Sequence, residues 1–309
     1  MTRPAASGSR VPGALPSALL ASLGDLELAA RLVVEGMQPG GHRSLHRGVG
    51  TEFIQHRPYV QGDSLRYLDW KLLARTDRLQ TRQYRESAQL ALLLVLDTSA
   101  SMGVPGVRET APSRFRYGLL LAAALAWLAA SRGDAVGLLA RTPSGPLHLP
   151  PRSGRLHLRR LLAQLQRLTP WGDGRPGEAL DQAAALLRRR GVLVAISDFH
   201  EEEGALQASL RRAVRRGHDV AMLHLTSDEE LAFPFDGETE FEDAETGARL
   251  LTHAGASGDA VRARIRDAHH RLHEAALRHG IDHLVLSTSE APGPALRRFL
   301  LSRARSRAR

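Results

Sequence analysis

Apolar and polar positions alternate along this chain in blocks, with short continuous hydrophobic runs separated by longer stretches of helical periodicity. The clearest run, Leu90 to Leu96, is followed by a helical pattern from about Arg114 to Ser131 and a second apolar run at Ala135 to Ala140. The pattern then predicts a short strand near Leu147, helices at Arg155 to Leu168 and Pro176 to Arg190, and a strand at Val192 to Ile196. A basic amphipathic helix at Leu206 to Arg216, a strand at Asp219 to Leu225, a helix at Asp259 to His279 and a strand at His283 to Leu286 complete the series. Runs such as Leu92-Leu93-Leu94-Val95-Leu96, apolar at every position, suit strands buried on both faces. Strands alternating with helices predict crossover units, hence an α/β fold with a doubly wound, mainly parallel sheet.

The flanks follow other rhythms. Residues 1–16, rich in Pro, Gly, Ser and Ala, are expected to be disordered. Helical spacing from Ser17 to Met37 ends at Pro39-Gly40-Gly41, and short strands are expected at Glu52-Phe53-Ile54 and Leu79 to Tyr84. This divides the chain into an N-terminal appendage, 17–89, and a main domain, 90–303, followed by a basic tail, 304–309. Between Asp228 and Glu245 lie nine acids and no base, which reads as a solvated insertion spanning 228–258.

Composition narrows the classes. The longest wholly apolar run, Leu119 to Ala130, is too short for a bilayer-spanning helix, which takes about 20 residues. The N-terminus has no sustained apolar segment before a cleavage site, so a cytoplasmic protein is expected. The absence of cysteine removes disulfides, thiolate metal sites and cysteine nucleophiles, leaving oxygen or imidazole ligands for any metal. The net charge of +9 comes largely from six arginines after Glu290, with no aromatic residue interleaved to stack on bases beyond Phe299, so nucleic acid is not expected as a partner.

Candidate chemistry sits where apolar strands end. Leu92–Leu96 runs into Asp97-Thr98-Ser99-Ala100-Ser101, a carboxylate followed by two hydroxyls at alternate positions, and Val192–Ile196 runs into Ser197-Asp198-Phe199. Ligands of open parallel sheets bind beyond the carboxyl ends of strands where the topology reverses. On neighbouring strands, Asp97 and Asp198 would converge with Ser99 and Ser101 as hard oxygen donors for Mg2+ or Mn2+. Capping of the next helices is the plainer reading of the same residues.

The triplet Asp97-x-Ser99-x-Ser101 with Asp198 resembles the metal-ion-dependent adhesion site of von Willebrand factor A domains. The run Arg57-Pro58-Tyr59-x-x-Gly62-Asp63-x-x-Arg66-x-x-Asp69-Trp70, followed by Ala74-Arg75, resembles the signature of a bacterial family called domain of unknown function fifty-eight. That resemblance implies a von Willebrand factor A-like fold over roughly Leu26 to Arg303, and a MoxR-type AAA+ ATPase as partner in assembling or chaperoning complexes. Such sites usually carry a threonine before the helix at Pro176, where this chain reads Trp171-Gly172-Asp173-Gly174-Arg175. Gly174 aligns with the threonine, and Asp173 is the expected substitute ligand. Arg57, Asp63, Arg66 and Asp69 are expected to form ion pairs that pin the appendage.

Other chemistry finds little support. His269 and His273 lie four apart on a helix without an H-E-x-x-H motif, and are expected on its exposed face. No G-x-S-x-G elbow presents Ser99 or Ser101 as a nucleophile, and no phosphate-binding loop of the G-x-x-x-x-G-K-[ST] type occurs. The expected function is a non-enzymatic, metal-bridged protein-binding adaptor. A metal-free scaffold and a metal-dependent hydrolase are the alternatives.

Overall fold

A computed structural model describes residues 15–37, 52–61, 68–85, 90–106 and 111–306. The chain opens with α1 (Ser17–Ser22) and α2 (Leu26–Glu35), followed by β1 (Glu52–Pro58), α3 (Trp70–Thr76) and β2 (Gln80–Arg85). The regular part runs β3 (Ala91–Leu96), α4 (Arg114–Ser131), β4 (Ala135–Thr142), β5 (Gly145–Arg152), α5 (Arg155–Arg167), α6 (Pro176–Leu186) and β6 (Val192–Ser197). It continues with α7 (Glu203–Arg215), β7 (Asp219–Thr226), α8 (Asp228–Ala232), β8 (Glu238–Glu242), β9 (Arg249–His253), α9 (Ala254–Arg278), β10 (Asp282–Ser287) and α10 (Pro292–Ser306).

Six strands form one sheet in the order β10-β7-β6-β3-β4-β5, parallel except for β5, which pairs antiparallel with β4 at the edge. The expected doubly wound α/β sheet is therefore present, with β3 central and β6 beside it in parallel register, Leu92 opposite Val192 and Leu96 opposite Ile196. Alternate residues of β3 serve opposite faces. Leu92, Leu94 and Leu96 pack with α2, α4, α5 and α10, while Leu93 and Val95 pack with α6, α7 and α9. This two-sided burial is why the strand carries no polar residue.

α4 is apolar almost all round because it lies between the sheet and the outer helices α2 and α5. Its Gly118 lets the helix settle on the strand ends: a Cβ there would stand 3.2–3.3 Å from Leu96, Ile196 and Leu225. That close seating fixes the start of α4, and with it Arg114, over the carboxyl ends of β3 and β6.

Three expectations need correction. α1 and α2 belong to the main body rather than to an appendage, because Leu26, Ala29, Ala30, Val33 and Val34 are buried in the same cluster as α4. Asp25 starts α2 by accepting from the amides of Glu27 (2.8 Å) and Leu28 (3.1 Å). The first residues of the basic tail, 304–306, continue the helix α10, whose Leu296 and Phe299 are buried and whose Arg303 pairs with Asp219 (2.6 Å) and Asp282 (3.4 Å). The acidic insertion is also structured, since it holds α8 and the antiparallel hairpin β8–β9.

β1 and β2 form an antiparallel pair of their own, with the bridge of Leu68 to Thr81 beside it. Asp69 caps α3, accepting from the amides of Lys71 (3.1 Å) and Leu72 (3.0 Å), and its other oxygen meets His56 Nε2 at 3.0 Å. These contacts join α3 to β1 within the same segment, through a cap and a histidine, where ion pairs with arginine are expected from sequence. Asp63 and Arg66 lie outside the described residues, as do residues 1–14 of the segment expected to be disordered.

Candidate functional site

The winding direction reverses between β3 and β6, whose carboxyl ends release the two acid-bearing loops side by side. The Asp97 amide donates to Ile196 O (2.9 Å), continuing the sheet register one residue beyond the strands. Ser197 Oγ then donates to Asp97 Oδ2 at 2.5 Å, and Asp97 Oδ1 accepts from the Ser99 amide at 2.9 Å. The loop turns into a single 3-10 turn at Ser101–Gly103, anchored by buried Met102. Ser99 Oγ and Ser101 Oγ stand 3.0 Å apart, and Ser101 Oγ donates to Asp198 Oδ2 at 3.0 Å. Asp97, Ser99, Ser101 and Asp198, the four residues expected from sequence, are thereby joined in one hydrogen-bonded chain.

Backbone strain sits at this point. Phe199 has φ of +52°, in the left-handed region that costs a non-glycine residue about 1 kcal/mol or more. Its amide accepts compensation by donating to Ser197 Oγ (2.8 Å), and its ring is buried. The reversal turns Asp198 back into the mouth of the sheet.

Asp198 has countercharges that sequence reasoning missed. Arg114 Nη1 lies 3.6 Å from Asp198 Oδ2 and 3.0 Å from Glu230 Oε2, while its Nη2 donates to Ser101 O at 2.9 Å. His200 bridges the same acids, with Nδ1 3.4 Å from Asp198 Oδ2 and Nε2 3.2 Å from Glu230 Oε1. Burial opposes ionisation of Asp198 and Glu230, but His200 and Arg114 outweigh it, holding Asp198 well below the usual carboxylate range and Glu230 at about 2. Burial likewise opposes charge on His200, yet the two acids push it up to about 10; half of the ring is open to water, which screens both attractions.

Asp97 differs. Burial first, and Asp198 second, raise its pKa, and among the described residues no cationic side chain pairs with it. Two carboxylates at one mouth therefore have unequal support, one ion-paired and one held only by a hydroxyl and an amide.

The loop before α6 is tied to this site by the Ala100 amide to Gly172 O (2.9 Å) and the Trp171 amide to Thr98 O (2.6 Å), while Thr98 Oγ1 donates to Arg141 O of β4 (2.8 Å). Gly174 lands against Ser99: a Cβ at residue 174 would lie 3.3 Å from Ser99 Cβ and 3.5 Å from Ser99 Oγ. Asp173, the expected substitute ligand, lines the same cavity as Asp97 and Ser99. Its carboxylate binds Arg175 (2.7 Å) and Arg141 (3.6 Å) with about half its surface exposed, and the Arg175 hydrogen bond lowers its pKa. It is satisfied on the rim and leaves the position opposite Ser99 without an oxygen from its own loop.

His269 and His273 also depart from expectation, being half-buried rather than exposed. The α9 face that carries them packs on His224 of β7 and His283 of β10. His224 Nδ1 lies 3.1 Å from His283 Nε2, His273 Nδ1 lies 3.2 Å from His283 Nδ1, and the His269 ring meets His224 edge-on at 4.4 Å. These nitrogens are spent on one another. Burial, then the neighbouring histidines, press His283 down to about 4 and His224 well below its ordinary value. Among the described residues no three His, Asp or Glu side chains converge as a metal-chelating group by themselves. Likewise, no helix among the described residues is long and apolar enough to cross a membrane.

The chain is similar to several known proteins. A family model described as "Protein of unknown function DUF58" matches residues 55–275. An uncharacterized protein of Mycobacterium tuberculosis (strain H37Rv) is 30% identical over 233 residues, covering 74% of this chain and 72% of that one; an uncharacterized protein of Mycobacterium bovis matches to the same extent. Among solved structures, the conserved hypothetical protein BatB from Bacteroides thetaiotaomicron is similar with TM-score 0.46 and 19% identity, over 70% of this chain and 99% of that one. An Rpn10 VWA domain is similar with TM-score 0.41 and 14% identity, over 68% and 94%.

Proposed function

Because this chain belongs to the DUF58 family and carries a mainly parallel six-stranded sheet with two acid-bearing loops at its switch point, we propose that it is a protein-binding adaptor rather than an enzyme. In this reading it engages an acidic side chain of a partner through a divalent cation at the mouth formed by Asp97, Ser99, Ser101 and Asp198. The observation that carries the reading is the pair of carboxylates at the switch point, Asp198 buried and Asp97 partly buried, of which Asp97 has no cationic partner among the described residues. An uncompensated buried carboxylate is costly, and a small hard cation beside two hydroxyls is the chemistry that relieves it. Mg2+ or Mn2+ would be held by Asp97, Ser99 and Ser101, with Asp198 placed through Ser101, and would supply an open coordination position to an acid.

Catalysis has weak support. A metal-dependent hydrolase needs a general base near the ion, and His200, the nearest imidazole, is held protonated between two acids and lacks a free acceptor. A metal-free scaffold is the second reading, favoured by one feature: Arg114 and His200 already neutralise Asp198 and Glu230 without an added ion.

The proposed partner is a MoxR-type AAA+ ATPase. Its test is a pull-down of such an ATPase from the same genome, with Mg2+ or with chelator, using the wild type and Asp97→Ala. Capture that needs both Mg2+ and Asp97 supports the adaptor. Capture indifferent to both leaves the scaffold reading, and no capture under any condition removes the ATPase.

A further inference from the structure

Hairpin β8–β9 ends in a turn that enters the mouth of the site. The turn is built tightly: Asp243 Oδ1 accepts from the amides of Glu245 (2.9 Å) and Thr246 (3.4 Å), Asp243 N donates to Ala248 O, and Gly247 N donates to Asp243 O, both at 2.8 Å. Gly247 takes φ of +70°, a conformation that a side chain would strain. Next to the turn, the ring of Phe241 lies 5.7 Å from Phe233 and 5.4 Å from Phe235, which roots β8. Glu238, Glu240 and Glu242 of β8 are exposed, and Arg249 pairs with Glu240 and Glu242, so those acids are served on the outer surface.

Glu245 is the exception among these acids. Its Oε1 is fully buried and has no hydrogen-bond partner. That oxygen lies 3.1 Å from the point where a Cβ on residue 174 would sit, a point itself 3.5 Å from Ser99 Oγ. The atom nearest that point is thus a carboxylate oxygen from a hairpin about seventy residues later, with Ser99 on the other side of Gly174. A carboxylate oxygen buried without a donor is expensive, and neither Arg114 nor His200 pairs with it.

We infer that Glu245 is a carboxylate ligand supplied in cis: it takes the position at the cation site that an acidic residue of a partner would take, and provides the oxygen that Gly174 lacks. The inference rests on the cation reading above and sharpens it. The hairpin closes the site, and a partner's acid must displace Glu245 to bind.

The test is a Mn2+ titration of the full chain followed by water-proton relaxation, comparing wild type, Glu245→Gln, Gly174→Thr and the double variant. Glu245→Gln should lower Mn2+ affinity by at least about tenfold. It should also raise the relaxation per bound ion, because water replaces the lost carboxylate. Gly174 has no left-handed backbone to strain, and a threonine there brings an oxygen to the same place while its Cβ crowds Glu245. Gly174→Thr in the Glu245→Gln background should therefore restore affinity, which a merely structural role of Glu245 would not do. Circular dichroism and thermal melting establish that each variant is folded. Equal affinity and relaxation in wild type and Glu245→Gln overturn the inference and leave the cation site standing. Absence of Mn2+ binding to the wild type overturns both, and the first arm alone reveals it.

Discussion

Acid should loosen this fold through its buried histidines before it reaches the carboxylates. His283 is nearly inaccessible and burial, followed by His273 and His269, brings it from 6.5 to about 4. A base whose folded pKa is depressed contributes stability that is complete above its unfolded value and is lost as pH falls toward the folded value. At 1.36 kcal/mol per unit, the whole shift corresponds to about 3 kcal/mol, of which about 2 kcal/mol disappears between pH 7 and pH 5. His224 acts in the same direction. His200 acts in the opposite one: raised to about 10, it stabilises below 6.5, and that contribution fades as pH climbs toward 10, discounted because half the ring is exposed. Comparing wild type with His283→Gln isolates one group, since glutamine retains polar atoms but takes no proton. Urea unfolding at pH 7 and pH 5 is the assay. The wild type should be the more stable protein at pH 7, with that advantage shrinking by about 2 kcal/mol at pH 5. An advantage that is the same at both pH values would refute the reasoning.

Arg114→Met should cost about 3–5 kcal/mol, because it leaves Asp198 and Glu230 buried without their shared guanidinium; chemical denaturation measures it, and a loss under 1 kcal/mol would show that water or His200 alone suffices. Asp69→Ala should cost about 1 kcal/mol through loss of the α3 cap and the His56 contact, read as a lower melting temperature. Asp97→Ala should leave the metal-free fold as stable as the wild type or more so, since it relieves repulsion between a partly buried carboxylate and buried Asp198; a clear loss in thermal melting without added metal would contradict that account.

The strands were legible because burial on both faces removes every polar residue from β3 and from β6 up to Ile196, so their ends, and the acids placed there, could be read directly. Short-range constructions such as the Ser99–Ser101 spacing were equally visible. What was hidden depends on long closures. Arg114 reaches Glu230 across more than a hundred residues, and nothing in either segment marks the pairing. The hairpin had a signal that went unused: Glu238-Thr239-Glu240-Phe241-Glu242 alternates with period two and is followed by the turn signal Asp243 to Gly247, but its acidity read as solvation. The α9 histidines misled because helical spacing gives their common face without saying what covers it. Asp173 stands at the rim, where Arg141 and Arg175 hold its carboxylate, and neither pairing is readable from spacing.

Calorimetric titration of the full chain with MgCl2 and MnCl2, run in parallel on Asp97→Ala, tests the central claim most directly. The cation-site account predicts saturable binding of one ion by the wild type and its loss in the variant. No binding by the wild type, or binding that survives Asp97→Ala undiminished, would contradict it.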